Sequence, residues 1–279
     1  MKVVIPMAGT GNRFVEKNYK DPKPLIRVNG KRIIEYILEM FDVTSDDFVF
    51  ICNDNHVRNT EVKNVLLDLV PNSKIVSMPQ HKKGPVYTVK SAYEFIGDDE
   101  EVVVSYCDNP CILNRQNFQS HVKNHKMDGC ILTHTGFHPH ALASTKMAFV
   151  KEHNEYPLIM EIKEKQSYTD KPTQEHASTG IYHFKNGAIL KKYFDLALEK
   201  DLNYNGECYV TLVYNLLIQD GLRVGYFDTP FVTVFGTPEE VENFESWSHL
   251  LRGGQIKNAE DVANCYNYWK TYHATGKVK

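Results

Sequence analysis

Short β-rich apolar runs alternate with amphipathic stretches through the first half of the chain. Val3–Met7, Phe48–Cys52, Lys74–Met78 and Glu101–Tyr106 each read as a strand. They lack the polar alternation of a half-exposed strand, as strands covered on both faces do. Between them, Ile33, Ile34, Ile37, Leu38 and Phe41 repeat at helical spacing, as do Val62, Val65, Leu66 and Val70, and a third helix is expected over Val86–Ile96. Strand–helix repeats of this length predict right-handed βαβ units on a parallel sheet, whose ligands bind beyond the carboxyl ends of the strands. The second half is more mixed. Strands are expected at Cys130–Thr133, Lys146–Val150, Leu158–Ile162, Thr179–Phe184 and Arg223–Phe227, and helices at Ala188–Leu198, Tyr209–Gln219 and Glu239–Leu251. Thr237 reads as the N-cap of the last, with Pro238 in the first turn and Glu240 as the capping-box partner. A further helix is expected over 258–273.

The fold class expected is therefore α/β: a Rossmann-like three-layer α/β/α arrangement with a mixed central sheet, mostly parallel in the N-terminal half, plus a C-terminal helical extension. One domain over 1–245, with 246–279 as its extension, is the simplest division of 279 residues, given roughly 150 residues per domain.

Composition narrows the function. With 32 basic against 35 acidic residues and a net charge of -3, there is no basic excess for nucleic acid. No apolar run approaches the roughly 18 residues that a membrane span needs. The N-terminus goes straight into glycines, so no signal peptide is read. The six cysteines form no Cys-x-x-Cys pair and read as reduced thiols of a cytoplasmic protein.

The candidate chemistry begins where the first strand runs into Ala8-Gly9-Thr10-Gly11-Asn12-Arg13-Phe14, followed by Pro22-Lys23-Pro24-Leu25. Backbone N–H groups of a glycine-rich turn at a strand end can cradle phosphate. A dinucleotide fingerprint would need glycine where Phe14 stands, and a Walker A loop would need a Lys-Ser/Thr pair that does not follow. Arg13 and Lys23 add a forked cation and a point cation for one polyphosphate. His134, His138 and His140 form a second cluster. A metal there would need a third ligand with its own supporting contacts, and lining an acceptor pocket is the preferred reading. His81-Lys82-Lys83 reads as solvated loop, close to where the base of a nucleotide is expected.

These motifs resemble the sugar-phosphate nucleotidylyltransferases (NTP transferases, pyrophosphorylases) of the capsule and surface-polysaccharide precursor type. Gly9-Thr10-Gly11-Asn12-Arg13-Phe14 and Pro22-Lys23-Pro24-Leu25 are similar to that family's opening. Gln80 and Gly84, Tyr106-Cys107-Asp108-Asn109, Glu164-Lys165, Ser178-Thr179-Gly180-Ile181-Tyr182 and Gly236-Thr237-Pro238-Glu239 follow in the family's order. The resemblance implies transfer of NMP from an NTP to a small phosphorylated acceptor, a sugar phosphate, with release of pyrophosphate. It implies Mg2+ or Mn2+ held by Asp108. Ala8 through Arg13, Lys23, Gln80 and Gly84 would bind the nucleotide. Asn109, Glu164, Lys165, Ser178 and Gly180 would face the acceptor. Arg13, Lys23, Asp108 and Lys165 would carry catalysis, Arg13 on the β/γ-phosphates, Lys23 between the α-phosphate and pyrophosphate, and Lys165 on the acceptor phosphate. The partners implied are small molecules rather than nucleic acid or membrane, with a homo-oligomer compatible.

Three departures from the family pattern fall on the acceptor side or the metal. Val234 stands two residues before Gly236-Thr237, where many members carry a second metal aspartate, and Glu207 is the nearest substitute carboxylate. Ser178 replaces an asparagine, and Gln166 a common proline. The alternatives kept are a cytidylyltransferase acting on a non-sugar phosphate such as phosphocholine, and a catalytically inactive nucleotide-binding regulator. A glycosyltransferase would not need Arg13 and Lys23 in a triphosphate loop. No hexapeptide repeat follows, so a bifunctional enzyme is not expected.

Overall fold

The computed structural model of the chain describes residues 1–136, 138 and 147–251. The helix expected over 258–273, the rest of the extension beyond 251, Cys265 and His140 lie outside the described residues.

β1 (Lys2–Met7) leads into a short helix α1 (Asn12–Val15), the hairpin β2 (Arg27–Val28) and β3 (Lys31–Arg32), and α2 (Ile33–Leu38). β4 (Asp47–Asn53), α3 (Asp54–Asn59), α4 (Val62–Leu69), β5 (Lys74–Met78), α5 (Pro85–Lys90), β6 (Val102–Ser105) and α6 (Arg115–Asn124) follow. The second half holds β7 (Gly129–His134), β8 (Phe149–Glu152), β9 (Ile159–Lys163), β10 (His176–Phe184), α7 (Gly187–Glu199), α8 (Val210–Gln219), β11 (Val224–Asp228) and α9 (Pro238–Leu251).

Among the described residues the main sheet has nine strands, in the order β11-β7-β10-β6-β1-β4-β5, with β8 on β10 and β9 on β8. β1 pairs in parallel with β4 and β6, and β4 with β5. β10 is antiparallel to both β6 and β7 and makes the sheet mixed. Successive side chains of a strand point to opposite faces, so the continuous apolar runs feed two cores. Val4, Val49, Ile51, Val102 and Val104 pack with residues of α5, α7 and α8. Val3, Ile5, Phe48, Phe50 and Val103 pack with residues of α2, α4 and α6. This is the three-layer mixed α/β arrangement expected. No helix among the described residues is long and apolar enough to cross a membrane.

Several boundaries differ from the sequence pattern for local reasons. The expected helix over 33–41 ends at Leu38, because Met40 and Phe41 close i→i+3 turns onto Ile37 and Leu38. The expected helix over 86–96 stops at Lys90 and resumes as a 3-10 turn at Tyr93–Phe95. The strand expected at 146–150 is β8, displaced to Phe149–Glu152. α6 shows no apolar repeat because only Phe118 and Val122 of its residues are buried. The boundary drawn at 245 falls inside α9. Cys52, Cys107, Cys111, Cys130 and Cys208 are free thiols.

Candidate active site

Parallel neighbours bring their carboxyl ends to one edge of the sheet. β1 and β6 are such neighbours, so the glycine-rich turn after Met7 and the segment after Ser105 meet at the mouth of one cleft. The cleft has a volume of about 550 Å³. Ala8, Gly9, Thr10, Gly11, Asn12, Arg13, Lys23, Gly84 and Asp108 all line it, together with Tyr106, Glu207 and Tyr209.

The turn is held from three sides. Gly11 caps α1 in the left-handed conformation, φ 65°, which a side chain would disfavour. The Asn53 amide donates to the Ala8 carbonyl at 3.4 Å. Phe14 is buried in a small cluster with Ile26, Val28, Ile33, Phe235 and Val241, which ties the turn to the segment preceding α9 and to α9 itself. Lys23 sits in a 3-10 turn between two prolines whose fixed φ leaves it little freedom. Its ammonium is ion-paired with Asp108 Oδ2. Burial alone would lower the Lys23 pKa, but Asp108 first, with Cys107 and Glu240, raises it, and the net shift is upward. Lys23 therefore stays charged across the neutral range.

Asp108 is clamped by backbone. The Phe235 N–H donates to its carbonyl at 2.7 Å, the Thr233 N–H to Pro110 at 3.0 Å, and the Tyr106 N–H to Gly180 at 2.9 Å. The segment containing Val234 and Gly236 thus runs alongside Asp108. A Cβ placed on Gly236 would stand 2.9 Å from Glu240 Oε2 and 3.7 Å from Asp108 Oδ2. Glu240 is buried, with 8% of its surface exposed. The Thr237 hydroxyl accepts from its N–H at 3.2 Å, the expected cap. Its Oε2 has no hydrogen-bond partner among the described residues. Burial first, then the Asp108 charge, pushes its carboxyl pKa up. An orphaned carboxylate oxygen beside an aspartate, around a gap that only glycine leaves, is a hard-oxygen donor set that suits Mg2+ or Mn2+.

The opposite wall is assembled from distant segments. Gly84, at φ 88°, lies against the Cys208 backbone, where a Cβ would come within 2.6 Å of both N and O. An Asn205-Gly206 turn, with positive φ at both residues, presents Glu207 to the cleft. The Tyr209 hydroxyl donates to Glu207 Oε2 and accepts from the Lys165 ammonium at 2.5 Å. That ammonium lies 4.2 Å from the centre of the Tyr209 ring and 5.4 Å from that of Tyr204. Lys165 is thereby joined to the cleft through Tyr209. Glu164 is buried and accepts from Thr211 Oγ1 at 2.5 Å. Burial raises its pKa, against the lowering by that hydrogen bond and by Lys165.

Asn109 and Gly180 touch across the strand bulge in β10: a Cβ on Gly180, φ 85°, would meet the Asn109 amide at 2.9 Å. Ser178 is buried, and its hydroxyl is directed into that bulge, accepting from the Gly180 N–H and donating to Tyr182, both at 3.1 Å. Gln80 is exposed and lies outside the cleft lining, as do Asn109, Glu164, Lys165, Ser178 and Gly180. Glu207 groups with Tyr209 and Lys165.

The histidine cluster goes elsewhere. His134 Nδ1 lies 3.1 Å from the Ala177 carbonyl and His138 Nε2 3.0 Å from that of Thr135. Neither lines the cleft, and no group of three or more metal-binding side chains occurs among the described residues. The loop reading of 81–83 agrees with the structure, in which Lys82 and Lys83 are exposed. His81 and Lys82 line the cleft, with His81 held 3.1 Å from Thr88 and packed on the Tyr87 ring. His56 is a further cleft residue that the sequence did not single out.

The MobA-like NTP transferase domain model matches residues 3–164. The chain belongs to that family. This agrees with the resemblance to sugar-phosphate nucleotidylyltransferases read from the motifs. A curated relative, the bifunctional protein GlmU of Clostridioides difficile (strain 630), is 27% identical over 229 residues, covering 81% of this chain and 46% of its own length. The chain thus spans about half the length of the curated relatives it matches. A nucleoside-diphosphate-sugar pyrophosphorylase from Vibrio cholerae RC9 superposes with a TM-score of 0.70 at 23% identity, covering 87% of this chain and 99% of that one. The inositol-1-phosphate CTP transferase from T. maritima gives 0.66 at 14%, covering 91% and 98%. At these identities the two structures establish the shared fold.

Proposed function

We propose that this protein is a nucleotidylyltransferase that joins an NMP group from an NTP to a small phosphorylated acceptor, a sugar phosphate, and releases pyrophosphate. The observation that carries this reading is the Lys23–Asp108 ion pair at a cleft whose rim is the glycine-rich turn. A cation and a carboxylate of the kind that binds divalent metals are there held together where a triphosphate would lie.

The acceptor's phosphate is already a nucleophile, since a phosphate monoester loses its second proton near pH 6. No protein nucleophile is required, and Cys107, which lines the cleft, is an unsuitable one: burial pushes its thiol up to about 11. Direct displacement at the α-phosphorus follows, with positioning and charge neutralisation as the main contributions. Arg13 and the turn amides would hold the triphosphate, Lys23 the charge growing on the leaving pyrophosphate, and Lys165 the incoming phosphate. Asp108 would hold a divalent cation, which when bound neutralises phosphate oxygens.

A second reading is favoured by one feature, the aromatic character of the acceptor wall. The Tyr204 and Tyr209 rings already face one cation, Lys165, and faces of this kind also suit a quaternary ammonium such as that of phosphocholine. The test is pyrophosphate release with Mg2+, each common NTP, and a panel of sugar phosphates, polyol phosphates and phosphocholine. Turnover with a sugar phosphate supports the first reading, and turnover confined to phosphocholine and CTP the second. Nucleotide binding without pyrophosphate release from any pair would mark an inactive nucleotide-binding protein.

A further inference from the structure

The position where the resembled family often carries a second metal aspartate is Val234, whose side chain cannot ligate. The backbone pairing of Phe235 with Asp108 nevertheless brings another carboxylate to the same place. Glu240 Oε2 and Asp108 Oδ2 both lie within 4 Å of the point where a Cβ of Gly236 would stand. We propose that the Glu240 carboxylate, delivered by the first turn of α9, is the second protein ligand of the divalent cation beside Asp108.

Glu240 is more than nine-tenths buried, and its Oε2 is unpartnered among the described residues. A capping role does not account for that oxygen. The cap is made by the Glu240 N–H to the Thr237 hydroxyl at 3.2 Å, and it leaves the carboxylate Oε2 unused. A buried carboxylate oxygen without a partner is costly unless something compensates it. A small hard cation that takes one or two carboxylates plus phosphate oxygens is such a compensation. Anchoring supports the geometry: Phe235 and Val241, on either side of Glu240 in sequence, are buried against Phe14 of the phosphate turn. Glu239, the neighbour, points away and pairs with Lys17 at 3.5 Å.

This assignment rests on the metal-dependent nucleotidylyl-transfer reading above, and the test separates the two. Mn2+ binding to the full chain is measured by electron paramagnetic resonance, with and without the α,β-methylene analogues of the common NTPs. Glu240→Gln keeps a side chain that capping boxes accept and removes the charge. It should weaken Mn2+ by about tenfold or more and shrink the rise in Tm that Mn2+ produces, while Glu239→Gln changes neither. Gly236→Ala keeps both carboxylates and fills the gap between them, so it should weaken Mn2+ as well and serves if Glu240→Gln does not fold. A wild-type protein that takes up no Mn2+ under any of these conditions overturns the functional reading and this assignment together. Wild-type uptake of Mn2+ with unchanged affinity in either folded variant overturns the assignment alone.

Discussion

The two walls of the cleft are built in different ways. The phosphate wall, as assigned under the proposed function, comes from one short stretch, Ala8 to Lys23, and one strand end, Asp108. It is positioned by adjacent parallel strands, by a left-handed turn that favours glycine and by two prolines of fixed φ. The side assigned above to the acceptor gathers Glu164–Lys165, Ser178–Gly180 and Tyr204–Tyr209 from well-separated parts of the chain, and of these Glu207 and Tyr209 line the cleft itself. Its polar groups are mostly satisfied by one another: Lys165 by Tyr209, Tyr209 by Glu207, Glu164 by Thr211, Ser178 by Tyr182. A triphosphate can be held by backbone amides and fixed cations on a local turn. An acceptor of particular shape is held by side chains that only tertiary structure brings together.

The comparison breaks most sharply if the phosphate wall proves dispensable. Arg13→Ala and Lys23→Ala should each lower turnover by at least a hundredfold, since one lost transition-state charge contact costs roughly 2.7–4 kcal/mol. Asp108→Asn should abolish activity at any Mg2+ or Mn2+ concentration. Steady-state pyrophosphate release measures all three, with melting curves confirming the fold. Near-normal rates in Lys23→Ala would remove the basis for placing the triphosphate there.

Gly84 is where the two walls touch. At φ 88° and ψ 174° it occupies backbone space essentially closed to other residues, and a Cβ would strike the Cys208 backbone. Gly84→Ala should cost at least about 1–3 kcal/mol in urea unfolding, the range for one such strained residue. A stability equal to wild type would mean that the Cys208 segment can retreat, and the acceptor wall is then not fixed relative to the nucleotide.

This difference in construction also decides what the sequence discloses. The turn at 8–14, the Pro22-Lys23-Pro24 segment and Asp108 were legible because their chemistry lies in contiguous residues after a recognisable strand. The roles of Tyr209 and His81 were not, because nothing in their own stretch says what each touches. Tyr209 matters through contacts to Lys165 and Glu207, and His81 stands in what reads as a charged loop. Glu240 was legible as a helix cap, and its proximity to Asp108 was not, since that follows from backbone pairing between 108–112 and 229–235. The hairpin β2–β3 did carry a local signal, Asn29-Gly30, two residues with positive φ between short strands.

Lys165→Ala tests the division of labour at smaller amplitude. Loss of the charged contact proposed between Lys165 and the acceptor phosphate, of the kind worth roughly 1.5–3 kcal/mol, should raise the acceptor KM about tenfold or more, or lower kcat correspondingly. NTP affinity measured by calorimetry without acceptor should be little changed. The opposite pattern, weakened NTP and normal acceptor kinetics, would place Lys165 on the phosphate wall and dissolve the comparison.

Glu164→Gln should give the smallest effect, and its pH dependence carries the information. Burial holds the folded-state pKa of Glu164 above its usual value of 4.5, with the Thr211 hydrogen bond and Lys165 opposing. Between those two pKa values the folded protein binds a proton that the unfolded chain has released. Stability contributed by this group therefore falls as pH rises through that window and stays lower above it. Glutamine has the same shape, can still accept from Thr211, and bears no charge at any pH. The variant should accordingly melt higher than wild type at pH 8, with the gap narrowing towards pH 4.5. Its acceptor kinetics should weaken while NTP binding holds. A gap in Tm that is the same at both ends of the range would show that the Glu164 carboxylate carries no burial cost, and that the acceptor wall is better hydrated than its side-chain packing implies.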